Sequence, residues 1–200
     1  MRIVARLLAV TGVLTLGLAG RATGQDAQGA PERHGAWFGV GLGIGELSRT
    51  CDNCPNAPGV AGVTAYLKVG ATPDPQMQVG IELAGWRKNV QGTMVTSGSG
   101  LIVFFLYPVK TVPFFLKGGL GGSLYREDVS GVKPPSDTSQ TTGFAITVGL
   151  GYERRIGAHL DVTPVANFLF GSLGNIRPGG VFLPGVQQTI VQLALGVKVH

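Results

Sequence analysis

Residues 37–45 read Trp-Phe-Gly-Val-Gly-Leu-Gly-Ile-Gly. Successive side chains of a strand point to opposite faces. As a strand, this stretch puts Phe38, Val40, Leu42 and Ile44 on one face and Trp37, Gly39, Gly41 and Gly43 on the other. A face of glycines makes a poor hydrophobic core, but it suits the cramped interior of a small barrel whose apolar outer face meets lipid.

The same period of two recurs downstream, giving eight segments in all. The second sets Val63, Ala65, Leu67, Val69 and Ala71 against Thr64, Tyr66, Lys68 and Gly70. The third, Met77 to Lys88, sets Val79, Ile81 and Leu83 against Gln78, Gly80, Glu82 and Trp86. The fourth, Thr93 to Tyr107, is apolar on both faces near Ile102–Leu106, and its β-branched residues favour strand over helix. The fifth (Phe114 to Tyr125) and sixth (Thr141 to Glu153) repeat the apolar-against-glycine pattern. The seventh runs from Leu160 to Phe170 and carries Pro164, which removes one ladder donor. The eighth sets Val191, Leu193, Leu195, Val197 and Val199 against Gln192, Ala194, Gly196, Lys198 and His200.

Short links at Thr72–Gln76, Pro108–Val112 and Arg154–Ala158 alternate with longer ones at Glu46–Gly59, Arg126–Gln140 and Gly171–Gln188. Only Asn89–Gly92 is brief for its side. That asymmetry is expected of antiparallel strands crossing a membrane, with tight turns inside and longer loops outside. The expected fold is all-β: an eight-stranded antiparallel up-and-down transmembrane β-barrel, with a soluble lipocalin-like barrel as the competing reading.

The chain's start reads as a cleavable signal peptide, 1–24. Arg2 and Arg6 precede an apolar run from Leu7 to Leu18, and small residues Ala22 and Gly24 follow. The run is too short to span a bilayer as a helix. A short periplasmic leader, 25–34, and an outer-membrane β-barrel domain, 35–200, complete the expected organisation. Of 16 basic residues, Arg2, Arg6 and Arg21 fall in the signal, leaving 13 against 11 acids, so the net charge of +5 drops to +2. With no Lys/Arg run, the electrostatic footprint of a nucleic-acid binder is missing.

On these segments, about residues 35–200, the chain resembles the small eight-stranded outer-membrane β-barrel proteins: the OmpA/OmpX-like barrels and the opacity-porin-like β-barrel domain. The most specific element is the terminal strand Thr189–His200; it departs from the family at His200, where an aromatic residue is usual. The resemblance implies a bacterial outer membrane with both termini periplasmic. It also implies outer-membrane lipids as surroundings and the barrel-insertion machinery as a partner read through the C-terminal strand. The outer loops would face a partner that the sequence does not name.

Few residues suggest chemistry. Cys51 and Cys54 form a CxxC that, in an oxidising compartment, reads as a local disulfide. A redox pair would need a thioredoxin-like helix start, and a metal site about four ligands. Lys68, Glu82, Lys117, Glu153, Asp161 and Lys198 face inward and toward the periplasmic half. They are expected to neutralise one another as a lumen charge network, since an unpaired buried charge is costly; a proton or ion relay is the sharper alternative. His34, His159 and His200 fall at the periplasmic rim as solvated side chains, away from Ser97, Ser99 and Ser123. A lipid-modifying enzyme, which the resemblance would site near the outer leaflet, is therefore the remote reading. No catalytic, cofactor or metal residues are assigned. The expected role is a non-enzymatic barrel with a structural or surface-interaction function. The alternative is a narrow porin-like channel for small solutes or apolar molecules.

Overall fold

The computed structural model describes residues 33–51, 58–129, 139–176 and 183–200. The signal peptide 1–24, most of the leader and Cys54 lie outside the described residues, which form no helix. The strands are β1 (Gly35–Thr50), β2 (Val60–Asp74), β3 (Met77–Val90), β4 (Thr93–Leu106) and β5 (Phe114–Val129). They continue with β6 (Ser139–Tyr152), the two-residue β7 (Arg154–Arg155), β8 (Leu160–Ile176) and β9 (Leu183–Val199). Each pairs antiparallel with its neighbour. β1 pairs with β9, and both β6 and β7 pair with β8, so the sheet closes. Because β7 prolongs β6 past Glu153, the nine elements make eight staves. A closed sheet has no exposed edge.

The faces separate as the period of two requires. Phe38, Val40, Leu42 and Ile44 are exposed on β1, as are Val191, Leu193, Leu195, Val197 and Val199 on β9. Similar rows on β2, β3, β4, β5 and β6, with Phe168 on β8, extend this apolar belt. β4, apolar on both faces, is a strand with Ile102, Phe104 and Leu106 outside and Leu101, Val103 and Phe105 buried inside. Pro164 sits on the outer face opposite Leu195 and is accommodated within β8.

Glycine faces inward where large side chains need its space. A Cβ on Gly41 or Gly196 would fall on the Tyr66 ring or hydroxyl, and one on Gly70 or Gly80 on the Trp37 indole. At the β3–β4 hairpin, Gln91 (φ 51°) and Gly92 (φ 85°) both adopt the left-handed region. That is the two-residue turn whose twist matches a hairpin, and the Asn89 side chain accepts from the Gly92 N–H at 3.0 Å.

The staves run further at one end than expected. β5 continues through Arg126–Val129, β8 through Gly171–Ile176, and β9 begins at Leu183. Ladder hydrogen bonds persist there, while the apolar alternation that marks a lipid-facing strand has stopped. This loop end carries the longer connections; the turn end carries the short ones and Arg33 and His200.

Candidate functional site

The lumen is the site, and side chains fill it in layers. At the turn end Glu153, immediately after β6, is the hub. Its carboxylate meets Lys198 Nζ at 2.5 Å and Arg33 Nε at 3.4 Å, and it accepts from the Tyr107 hydroxyl at 2.7 Å. Gln78 Oε1 accepts from Lys198 and lies 2.9 Å from the Tyr107 hydroxyl, whose single proton it shares with Glu153. All of these side chains are at most 3% exposed. The Arg33 guanidinium stacks 3.7 Å from the Tyr107 ring centroid. Burial, reinforced by the Glu153 carboxylate, holds the Tyr107 phenol well above its ordinary range, so the hydroxyl stays a donor. Beside this hub, Asp161 binds Arg155 at 3.1 Å and His200 Nε2 at 2.7 Å.

Midway, a chain of polar contacts crosses from wall to wall. Lys117 Nζ donates to Glu82 at 2.6 Å and to Asn167 at 3.4 Å. Asn167 donates to Gln192 at 3.5 Å, and Gln192 to Thr64 at 3.0 Å. The chain therefore joins β3, β5, β8, β9 and β2. Lys68 takes a different course. Its ammonium lies 4.9 Å from the Phe105 ring centroid and 5.1 Å from that of Tyr66, a cation–π arrangement, and no described ion pair ties it to a carboxylate. Trp37, Phe105 and Phe115 pack edge to face beside it.

At the loop end, Arg49 of β1 reaches across to β5. Its Nη1 donates to Tyr125 at 2.5 Å and to Glu127 at 2.7 Å, and the Tyr125 hydroxyl also donates to Glu127. Glu127, which the sequence places in a loop link, is in fact an inward residue of β5. Next to this bar opens a cavity of about 320 Å³.

All six inward charges of the sequence reading are buried in the barrel, and their direct contacts fall into separate sets. Glu82 pairs with Lys117, Glu153 with Lys198, Asp161 with Arg155 and His200, and Lys68 rests on aromatic rings. The correction comes from the ends of the chain. Arg33, read as leader, turns into the lumen, and His200, read as a solvated rim residue, is half-buried on Asp161. His34 and His159 are exposed. Ser97 is bonded to Gln188, and no described hydrogen bond joins Ser97, Ser99 or Ser123 to a histidine. Cys51 is half-buried against the core near the loop end.

Sequence reasoning missed Tyr107, Arg49 and Tyr125. Parity already carried the signal for Tyr107, since 101, 103, 105 and 107 share a face. Glu153, Asp161 and His200 bring ligand-type atoms within 4.8 Å of one another. Lys198, Arg33 and Arg155 already neutralise those carboxylates, which leaves little attraction for a cation.

No family model matches the chain, and no curated protein is similar to it in sequence. Solved structures do match the fold. Neisserial surface protein A is 15% identical with a TM-score of 0.53, covering 81% of this chain and 96% of that one. Ail, the attachment invasion locus protein of Yersinia pestis, in complex with the heparin analogue sucrose octasulfate, is 13% identical with a TM-score of 0.58, covering 82% and 99%. The chain has the fold of the small eight-stranded outer-membrane β-barrels.

Proposed function

We propose that this chain is an outer-membrane protein acting as a closed, non-enzymatic barrel, with a structural or surface-interaction role. Its turn end and termini face the periplasm, its longer connections face outward, and β9 is the strand read by the insertion machinery. The apolar belt supports insertion in lipid. The fourteen residues of β6, at about 3.3 Å each and tilted about 40°, cover roughly 35 Å, more than the ~25 Å apolar band of such barrels. Cys51 and Cys54 form a local disulfide at the outer end.

The observation that carries the reading of a shut lumen is the wall-to-wall chain Thr64–Gln192–Asn167–Lys117–Glu82. Eight staves enclose an interior just wide enough for side chains to fill, and here charged pairs fill it at both the middle and the turn end. Purified protein in planar bilayers is expected to give no steady single-channel current. Large, stable currents from the wild type would favour the porin-like reading instead. Recovery of the mature protein in the soluble periplasm, rather than with outer membranes, would overturn the membrane reading altogether.

A further inference from the structure

We propose that the loop-end mouth of the barrel binds a small neutral molecule with an apolar body and one hydrogen-bond acceptor. The cavity there, about 320 Å³, falls within the size range of small-molecule sites. Leu47, Val60, Trp86 and Val95 supply its apolar surface, and Leu47, Trp86 and Val95 belong to the buried core. These walls are fixed. The Trp86 indole N–H donates to the Gly45 carbonyl at 2.8 Å, which locks the ring and leaves the cavity an apolar surface.

Arg49 and Glu127 are the charged residues of the lining, beside the polar Gln91 and Thr93, and decide the ligand's charge. They neutralise each other at 2.7 Å, so a charged ligand gains a partner only by breaking that pair, whereas a neutral one leaves it intact. Among the described hydrogen bonds, those to Tyr125 and Glu127 use only Nη1 of Arg49. The guanidinium therefore keeps donors for a carbonyl or hydroxyl oxygen. Deeper in the barrel lie the Ser97–Gln188 contact and the mid-lumen polar chain. The mouth is a blind vestibule, and ligand binding in it does not depend on the role proposed for the barrel as a whole.

The test is a titration of the protein in lipid nanodiscs with para-fluoroacetophenone, followed by fluorine NMR. Saturable binding is expected, and the double variant Val60→Phe/Val95→Phe, which fills the cavity, should weaken it by about tenfold or more. Thr93→Trp, at the cavity rim on the β3–β4 hairpin, is a second filling variant with little bearing on the core. Para-fluorobenzoate and para-fluorobenzylamine carry the same ring with opposite charges, and each should bind about tenfold more weakly than the ketone. A strictly linear response, or a saturable one unchanged by Thr93→Trp, would assign the signal to partition into lipid and overturn the site. Equal binding of all three probes would overturn the neutral-ligand assignment.

Discussion

The two ends of the lumen solve the same problem, how to keep charge inside a narrow barrel, in opposite ways. At the turn end, Glu153, Lys198, Arg33 and Tyr107 are at most 3% exposed and meet in a desolvated cluster, in which Arg33 Nη2 has no described hydrogen-bond partner. At the loop end, the Arg49–Glu127 pair is 37% and 21% exposed and stands beside a cavity. Burial makes the first cluster indispensable, because each of its charged members is a counter-charge that water cannot replace. Partial exposure makes the second replaceable, because solvent screens the pair and can hydrate either member alone. The turn end is built as a plug, and the loop end leaves room.

Substitution at the hub is the most severe way to break this comparison. Glu153→Ala removes the one carboxylate that faces both Lys198 and Arg33 and leaves two buried cations uncompensated. A loss of about 3–5 kcal/mol is expected, moderated if Lys198 gives up its proton. Urea unfolding in vesicles, or loss of heat-modifiable gel migration, would register it. A loss below about 1 kcal/mol would show that the turn end is as wet as the mouth.

Between the ends, the comparison is sharpened by sterics rather than charge. Gly196→Val places a side chain against the Tyr66 hydroxyl and the Val40 carbonyl oxygen. Tyr66 is 5% exposed and has little room to move, so overpacking should cost about 1–3 kcal/mol. The outward glycine Gly118, whose added Cβ would meet nothing within 4 Å, is the control. Gly118→Ala should change stability by under about 1 kcal/mol. Equal effects at the two glycines would deny that the inner glycines exist to seat Tyr66 and Trp37.

The sequence made the staves and their faces legible because lipid on one side and a crowded lumen on the other impose a strict alternation. Phe38–Ile44 and Val191–Val199 lie where that alternation puts them. The strand ends at the loop side were not legible, since Arg126–Val129 and Gly171–Ile176 pair in the ladder where the sequence no longer alternates apolar and small or polar residues. Lumen partners were hidden for another reason. Parity says that Arg49 and Glu127 share an interior, but only barrel closure sets β1 opposite β5 and brings them to 2.7 Å. Arg33 was invisible as a lumen residue because it precedes β1 and belongs to no alternation.

A milder test concerns the loop-end connection between β1 and β2. Cys51→Ser opens the proposed disulfide to Cys54, which closes so short a loop that chain entropy gives it about 2 kcal/mol at most. Membrane assembly should be unchanged and unfolding only slightly easier. Thiol labelling of the untreated wild-type protein should find nothing to modify. Labelling of the wild type, or failure of the variant to assemble, would show that the loop end is more than an accessory to the barrel.

The smallest expected effect is the most direct probe of the contrast between the ends. Glu127→Ala removes the acceptor of Arg49, but the guanidinium keeps its bond to the Tyr125 hydroxyl at 2.5 Å and is exposed enough to be hydrated. Tyr125, only 1% exposed, keeps Arg49 as its donor but loses Glu127 as the acceptor of its own hydroxyl proton. An ion pair so placed contributes about 0.2–1 kcal/mol, and that contribution should shrink further as salt is added, since exposed charges are screened over about 10 Å at 0.1 M. The gap between Glu127→Ala and the wild type should therefore narrow as salt is raised, down to the salt-independent cost of the acceptor lost by the Tyr125 hydroxyl. The loss from Glu153→Ala should hardly respond to salt, because ions do not enter its cluster. If both variants lose stability alike at every salt concentration, the mouth and the plug are one electrostatic environment, and the division of the lumen into two ends is wrong.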